Sequence, residues 1–66
     1  MRVIINGKAK TIESNLSLER AIEKLQFSSQ WSATAVNGTF ISKKQRTSFI
    51  LKDGDTIEIL QPAQGG

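Results

Sequence analysis

The chain has 66 residues, of which nine are Lys or Arg and six are Asp or Glu, so its formal net charge is +3. It contains no cysteine and no histidine, which excludes disulfides, thiol nucleophiles, the commonest metal ligands and the usual general base. A chain of this length forms one domain that buries only about 60% of its unfolded surface. It has little volume for an enclosed pocket, and we expect a protein that is not an enzyme.

Membrane and nucleic-acid functions are also disfavoured. The strictly apolar runs are about three residues long, far short of the roughly 20 needed to span a bilayer. The start MRVIING lacks the apolar stretch of a signal peptide, so we expect a cytoplasmic protein. The basic residues are scattered, with few aromatics, which is not typical of nucleic-acid binding. The one basic cluster, Lys43, Lys44 and Arg46, either docks an acidic partner surface or keeps a small protein soluble.

The first predicted element is a β-hairpin. The β-branched run RVIING ends in Asn6-Gly7 and is followed at once by KAKTIE. Both turn residues tolerate positive φ, and this pattern is the strongest short-range hairpin signal.

A helix follows, because SNLSLERAIEKLQF changes to helical spacing. Apolar residues recur at i, i+3, i+4 and i+7, at Leu18, Ala21, Ile22 and Leu25. Ser17 is the predicted N-cap, and Leu16 is placed to pack against Ala21. We expect the helix to run from about Leu18 to Gln26. Glu19 is in the first turn of the helix, where a negative charge suits the helix dipole. Glu19 and Glu23 lie on a helix face that is predicted to be solvated.

The second half of the chain predicts two or three more strands. SATAVNGTFIS repeats the hairpin signal at Asn37-Gly38. KDGDTIEIL gives a turn at Asp53-Gly54 and a final strand, and we interpret Asp53 and Asp55 as turn formers rather than metal ligands. Trp31, between the helix and the second hairpin, is predicted to cap the edge of the core.

These elements predict an α+β fold of the β-grasp type, a mixed sheet of four or five strands with one helix packed across one face. The residues expected in its core are Val3, Ile5, Ile12, Val36, Ile41, Ile57, Ile59, Leu18, Ala21, Ile22 and Leu25. Strand alternation places a second apolar set on the opposite face, which a small domain has no second layer to cover. That set, Ile4, Ala35, Phe40 and Leu60, is the candidate partner surface.

The chain ends in QPAQGG, which predicts a domain over residues 1–60 and a flexible tail over 61–66. Pro62 cannot donate to a sheet ladder, so the last strand should stop near it. Gly65 and Gly66 have no Cβ, and a chain without Cβ atoms can thread a narrow passage.

The frame AVNGTFISKKQRTSFILKDGDTIEILQPAQGG, together with the helix opening LSLERAIEKL, resembles the sulfur carrier proteins of thiamin biosynthesis, the ThiS family of ubiquitin-like β-grasp proteins. The resemblance covers nearly the whole chain. The more specific part is the spacing from Asn37 to Asp55, since a terminal Gly-Gly is shared by ubiquitin-like proteins generally.

The resemblance implies a carrier that works through its terminal carboxylate. An E1-like adenylating enzyme would activate Gly66, a sulfur donor protein would convert it to a thiocarboxylate, and the sulfur would pass to thiazole synthase. Gln64 and Gly65 would thread the active site of the partner. The chain has no GxxxxGK loop and no GxGxxG turn, so ATP and magnesium would be held by the adenylating enzyme and no cofactor by this chain. It is expected to be a monomer when free.

Other functions remain open from the sequence. Within the carrier class, the alternatives are the small subunit of molybdopterin synthase and a ubiquitin-like protein modifier. Outside it, the alternative is a non-catalytic β-grasp interaction module whose tail is inert.

Overall fold

A computed structural model describes residues 1–62 of the chain. Within them the elements run β1 (Arg2–Ile5), β2 (Lys8–Thr11), α1 (Leu18–Lys24), β3 (Ala33–Val36), β4 (Thr39–Ile41), α2 (Lys43–Arg46) and β5 (Thr56–Leu60). The predicted α+β architecture is confirmed, with five strands and a second, short helix in the described part of the chain. No helix in residues 1–62 has the length and apolar character needed to cross a membrane.

The strands form one mixed sheet in the order β2-β1-β5-β3-β4. β1 and β5 are parallel, and Ile5 lies opposite Ile57. All the other pairs are antiparallel. β5, the last strand within residues 1–62, is therefore the central strand of the sheet, paired on both sides.

Both hairpins form at the predicted turns. The φ angles are 50° at Asn6 and 83° at Gly7, and 51° at Asn37 and 83° at Gly38. Two consecutive residues with positive φ make the type I′ turn, whose twist matches that of the flanking strands. Asparagine followed by glycine is the pair that tolerates this geometry best.

Helix α1 begins as predicted and ends earlier. The Ser17 hydroxyl accepts a hydrogen bond from the Arg20 N–H at 3.1 Å, which confirms Ser17 as the N-cap. Gln26, the predicted last residue, has a φ of 66°. The Phe27 N–H donates to the Ile22 carbonyl, and the Gln26 N–H donates to the Glu23 carbonyl. This is a Schellman motif, which satisfies the last carbonyls and ends the helix at Lys24.

The core lies between α1 and one face of the sheet, and most of its predicted members are buried. Ile12 and Leu25 are exceptions, because they are only half-buried and pack against the cluster from its margin. Leu16 and Leu51 are buried instead. Both lie in loops, where strand alternation and helical spacing give no signal. The position of Leu16 before the N-cap of α1 did predict a packing contact, whereas no pattern indicated Leu51. The buried apolar residues are Val3, Ile5, Leu16, Leu18, Ala21, Ile22, Val36, Ile41, Leu51, Ile57 and Ile59.

Helix α2 was not predicted, although the sequence carries its signal. Ser42 is the N-cap and its hydroxyl accepts from the Gln45 N–H at 3.2 Å. The Gln45 side chain accepts in turn from the Ser42 N–H at 2.9 Å. This reciprocal capping box is the pattern S-x-x-Q. It stabilises a helix of four residues and places Arg46 in its last turn.

Candidate functional site

The C-terminal end of β5 is the point from which the chain continues into its tail. β1 turns away at the Asn6-Gly7 hairpin, so its main chain cannot pair with Ile59. The Asn6 side chain replaces it, because Nδ2 donates to the Ile59 carbonyl at 3.1 Å and Oδ1 accepts from the Ile59 N–H at 2.8 Å. The parallel ladder is thereby extended to within one residue of the end of β5.

The start of β5 is held in a similar way by the second hairpin. The Asn37 carboxamide accepts from the Thr56 N–H at 2.9 Å and donates to the Asp55 carboxylate at 3.0 Å. Asp55 also accepts from the Lys52 N–H at 2.8 Å, and Asp53 accepts from the Arg2 N–H at 2.7 Å. Both aspartates therefore serve the turn before β5, as predicted. Residues 1–62 contain no group of three or more residues suited to hold a metal ion.

The tail root, which we define as Leu60, Gln61 and Pro62, is anchored at its second residue. The Gln61 Oε1 atom accepts a hydrogen bond from the Ser28 N–H at 2.9 Å. The sequence placed Gln61 in a freely flexible tail, but its side chain is tied to the turn that precedes β3. The direction in which the chain leaves the domain is therefore set as far as Gln61.

The turn of residues 28–31, called the Trp31 turn below, is braced from several sides. The Ser28 hydroxyl accepts from the Trp31 N–H at 3.0 Å. The Lys43 ammonium donates to the Gln30 carbonyl at 2.6 Å. Arg46 donates from Nη1 to the Ser29 carbonyl at 2.9 Å. The turn is thus fastened to both ends of α2.

Arg46 is the centre of this brace and is not an exposed member of the basic cluster, contrary to both interpretations of that cluster. Only 2% of the residue is exposed. Its guanidinium also donates to the Ser32 carbonyl and, from Nε at 3.2 Å, to the Thr34 hydroxyl. A planar group with five donors can serve several acceptors at once, which allows its burial.

Glu19 supplies the negative charge beside Arg46, so the prediction of a solvated Glu19 is wrong. Its Oε1 atom lies 3.8 Å from Arg46 Nη1, and its side chain is 17% exposed. Its Oε2 atom accepts from the Ser29 hydroxyl. Glu23, on the same helix, is 55% exposed at its side chain and pairs only with Arg20, at 3.9 Å. The difference arises because Arg46 approaches the first turn of α1 from α2, a tertiary contact that helical spacing does not reveal.

Trp31 does not cap the core, and this prediction is also wrong. The residue is 66% exposed. Phe27 and Phe49 pack against the core margin instead. The backbone of the Trp31 turn is held by polar contacts, so its position does not depend on burial of the indole.

The predicted partner surface is divided by the structure. Ala35 lies opposite both Phe40 and Glu58, and Leu60 lies opposite Ala33. Phe40 is 66% exposed and Leu60 is 73% exposed. Together these side chains form a shallow groove on the sheet face away from α1, called the open-face groove below. Its lining residues are Ala33, Thr34, Ala35, Phe40, Glu58 and Leu60.

Ile4 lies on the same face but outside the open-face groove. It is opposite Thr56, at the start of β5. Leu60 is four residues further along that strand, a rise of about 13 Å at 3.3 Å per residue. It lines a separate depression with Ala9, Asp53 and Gly54. Of the predicted patch, the structure therefore brings together Ala35, Phe40 and Leu60 and leaves Ile4 apart.

The remaining predicted site residues, Gln64, Gly65 and Gly66, lie outside the described residues, and their role stays a prediction. Comparison with known protein families, in contrast, includes these residues. A model of the ThiS family matches residues 3–66. The chain belongs to the ThiS family.

This ThiS family protein also resembles two solved structures. It is similar to the crystal structure of a thiamine biosynthesis protein (ThiS) from Geobacter metallireducens, with 25% identity, a TM-score of 0.86 and coverage of 100% of both chains. An NMR solution structure of a thiamine biosynthesis protein from the same organism matches at 25% identity with a TM-score of 0.82, covering 100% of this chain and 88% of the other. Comparison with curated protein sequences finds no significant match.

Proposed function

We propose that this ThiS family protein is a sulfur carrier for thiazole formation in thiamin biosynthesis, and that the carboxylate of Gly66 is the carrier group. The observation that carries the proposal is the extent of the family match, which continues past the last strand through residue 66. The similarity therefore includes the tail as well as the fold. The names of the two solved relatives support the same pathway.

The chemistry requires activation by a partner. A terminal carboxylate has a pKa of about 3.3–3.7 and is ionised at neutral pH, which makes it a poor electrophile. In the proposed first step an E1-like enzyme holds ATP and magnesium. A carboxylate oxygen of Gly66 attacks the α-phosphate of that ATP. An acyl-adenylate forms and pyrophosphate leaves.

In the second step a hydrosulfide equivalent from a sulfur donor protein attacks the acyl carbon. AMP leaves, a proton is released, and a thiocarboxylate remains on Gly66. On thiazole synthase the sulfur would pass to the substrate, the C–S bond to Gly66 would break, and an oxygen atom from water or from the substrate would restore the Gly66 carboxylate. The chain has no cysteine, so it offers no internal thiol that would compete for the activated acyl group.

The residues of the domain hold and present the tail in this proposal. Asn6 and Gln61 hold the end of β5 and the tail root, so that the arm starts from a fixed place on the domain. The open-face groove beside Leu60 offers an apolar docking surface to the adenylating enzyme. Gln64 and Gly65 would enter the active site of that enzyme.

Intact mass spectrometry tests the proposal. Incubated with its cognate adenylating enzyme, ATP, magnesium and a sulfur source, the protein should gain the mass of one exchange of oxygen for sulfur, located in the C-terminal peptide. A variant lacking Gly66 should show no gain. An unchanged mass with an adenylating enzyme of verified activity would favour the inert interaction module instead.

A further inference from the structure

The Trp31 turn has features that the proposed function does not use. Trp31 is the only tryptophan of the chain, and it is 66% exposed. A tryptophan side chain can bury 150–250 Å² on contact with a partner, and tryptophan is enriched among the residues that dominate binding energies. The exposed indole therefore leaves a large apolar area available for contact with a partner.

The backbone that carries this indole is preorganised. Ser28 closes the turn through its hydroxyl. Lys43 donates to the Gln30 carbonyl, before the indole, and Arg46 donates to the Ser32 carbonyl, after it. Arg46 is itself buried and paired with Glu19. A partner that binds a turn already fixed in this way loses less conformational entropy than one that must order a mobile loop.

The turn is also continuous with the tail. The Ser28 N–H bonds to Gln61, and Ala33, two residues after Trp31, lies opposite Leu60. A protein that binds the tail root therefore meets the Trp31 turn beside it. The open-face groove begins at the same end of β3 and β5.

Two lysines place positive charge beside the Trp31 turn. Lys43 is bonded to the residue before Trp31, and Lys44 is exposed next to it in α2. A protein surface that accepts this region should carry carboxylates around an apolar pocket, because complementary charge guides association and excludes wrong partners.

We propose that the Trp31 turn is a second contact surface for the enzyme that adenylates the tail, with the indole of Trp31 seated in an apolar pocket bordered by acidic side chains. This inference rests on the proposed function, since it assigns the turn to the same partner. It adds to the open-face groove a contact on the other side of the tail root.

A single ¹⁹F probe tests the contact directly. Because the chain has one tryptophan, incorporation of 5-fluorotryptophan gives one protein resonance, and unlabelled adenylating enzyme can be titrated against it. The resonance should shift or broaden in step with complex formation. Trp31→Ala should weaken binding by at least about tenfold, the loss of a hot-spot side chain, with little change in thermal stability.

Two variants serve as controls. Ile50→Ala also removes an exposed apolar side chain, 49% exposed and remote in sequence from the turn and the groove, and it should leave the affinity unchanged. Lys44→Glu should slow association at low salt, and the difference should shrink at high salt because exposed charges are screened.

The outcomes separate this inference from the proposed function. If the labelled protein is adenylated while its ¹⁹F resonance stays fixed, or if Trp31→Ala binds as tightly as the unchanged chain, the contact surface is refuted and the carrier function stands. If the unchanged chain is never adenylated, the proposed function fails and the inference fails with it.

Discussion

The carboxamide of Asn6 pairs with both main-chain groups of Ile59, 53 residues further along the chain. The same residue has a φ of 50° in a type I′ turn. One asparagine therefore performs two tasks, since it permits the first hairpin and replaces a strand where β1 ends. Asn37 likewise combines a positive φ with contacts at the other end of β5, where its carboxamide bonds the Thr56 N–H and the Asp55 carboxylate.

Asn6→Gly should separate these two tasks. Glycine accepts the positive φ but has no carboxamide, so two partly buried main-chain groups of Ile59 lose their partner. We expect the free energy of unfolding to fall by about 1–3 kcal/mol, the cost of leaving buried hydrogen-bonding groups unsatisfied. Urea denaturation measures it.

Asn15→Gly is the matched control, because Asn15 is exposed and has a φ of 60°. It makes the same chemical change at positive φ without touching β5. Equal losses in the two variants would mean that glycine flexibility, and not the Asn6 contact, accounts for the effect.

Arg46→Met should be among the most destabilising single changes outside the apolar core. It leaves the carbonyls of Ser29 and Ser32 without a donor and Glu19 without its cation, and removing one partner of a buried pair costs about 3–5 kcal/mol. Arg46→Lys should recover only part of the loss, because an ammonium cannot match the planar fork of donors. Chemical denaturation of both variants provides the comparison.

A double-mutant cycle with Glu19→Gln isolates the ionic part of this brace. Glu19→Gln should destabilise the Arg46→Met variant less than it destabilises the unchanged chain, because the charge that it removes is then unpaired. Strict additivity would show that Arg46 acts through its hydrogen bonds to the turn alone.

Leu60→Arg should weaken docking without disturbing the fold. Leu60 is 73% exposed on the open face, so an arginine there remains solvated in the free protein but must be desolvated against an apolar partner surface. The far-UV spectrum should stay native and the affinity for the adenylating enzyme should fall. Thr11→Arg, on the edge strand β2, is the control, and equal weakening by both would point to net charge as the cause.

Gly65→Val should slow adenylation sharply while leaving the melting temperature nearly unchanged. In the tail predicted from the sequence, Gly65 belongs to no element, and a surface change of that kind usually alters stability by no more than about 0.5 kcal/mol. The branched Cβ restricts the backbone next to the reacting carboxylate, and misplacement by about 1 Å can reduce a rate about a hundredfold. ATP–pyrophosphate exchange beside a melting curve tests it.

Gly65→Ala should give an intermediate rate, because it adds a Cβ without the branch. A loss of stability without a loss of exchange would assign the glycine to the fold.

The pKa of Glu13 should lie below its ordinary value, and Lys24 is the cause. The Lys24 ammonium donates to the Glu13 carboxylate at 2.7 Å, and this hydrogen bond together with the positive charge lowers the pKa of Glu13. The pair therefore stabilises the fold above the unfolded pKa of Glu13, and the contribution disappears as pH falls through the folded pKa. In Lys24→Gln the pKa of Glu13 should rise toward its usual value in an NMR titration, whereas Lys52→Gln should leave it unchanged.

Local chemistry determined most of the architecture from the sequence alone. Asn-Gly pairs specify type I′ turns, Ser17 caps α1, and strand alternation separates the core face from the face that carries Leu60. Each of these depends on residues close together in the chain. The S-x-x-Q signal of α2 is equally local, and the capping box would have predicted that helix.

Only the tertiary structure decided the surroundings of Arg46, Glu19 and Trp31. In sequence Arg46 belongs to a basic cluster and Glu19 to a charged helix face, and nothing near them in the chain indicates that α2 brings the two together. Burial of a guanidinium depends on acceptors from Ser29, Ser32 and Thr34 that meet only when the sheet and both helices are assembled. The end of β5 and the tail root follow the same rule, because the hydrogen-bond partners of Ile59 and Gln61 lie 53 and 33 residues away in sequence. Contacts between residues so far apart form through packing rather than through local propensity.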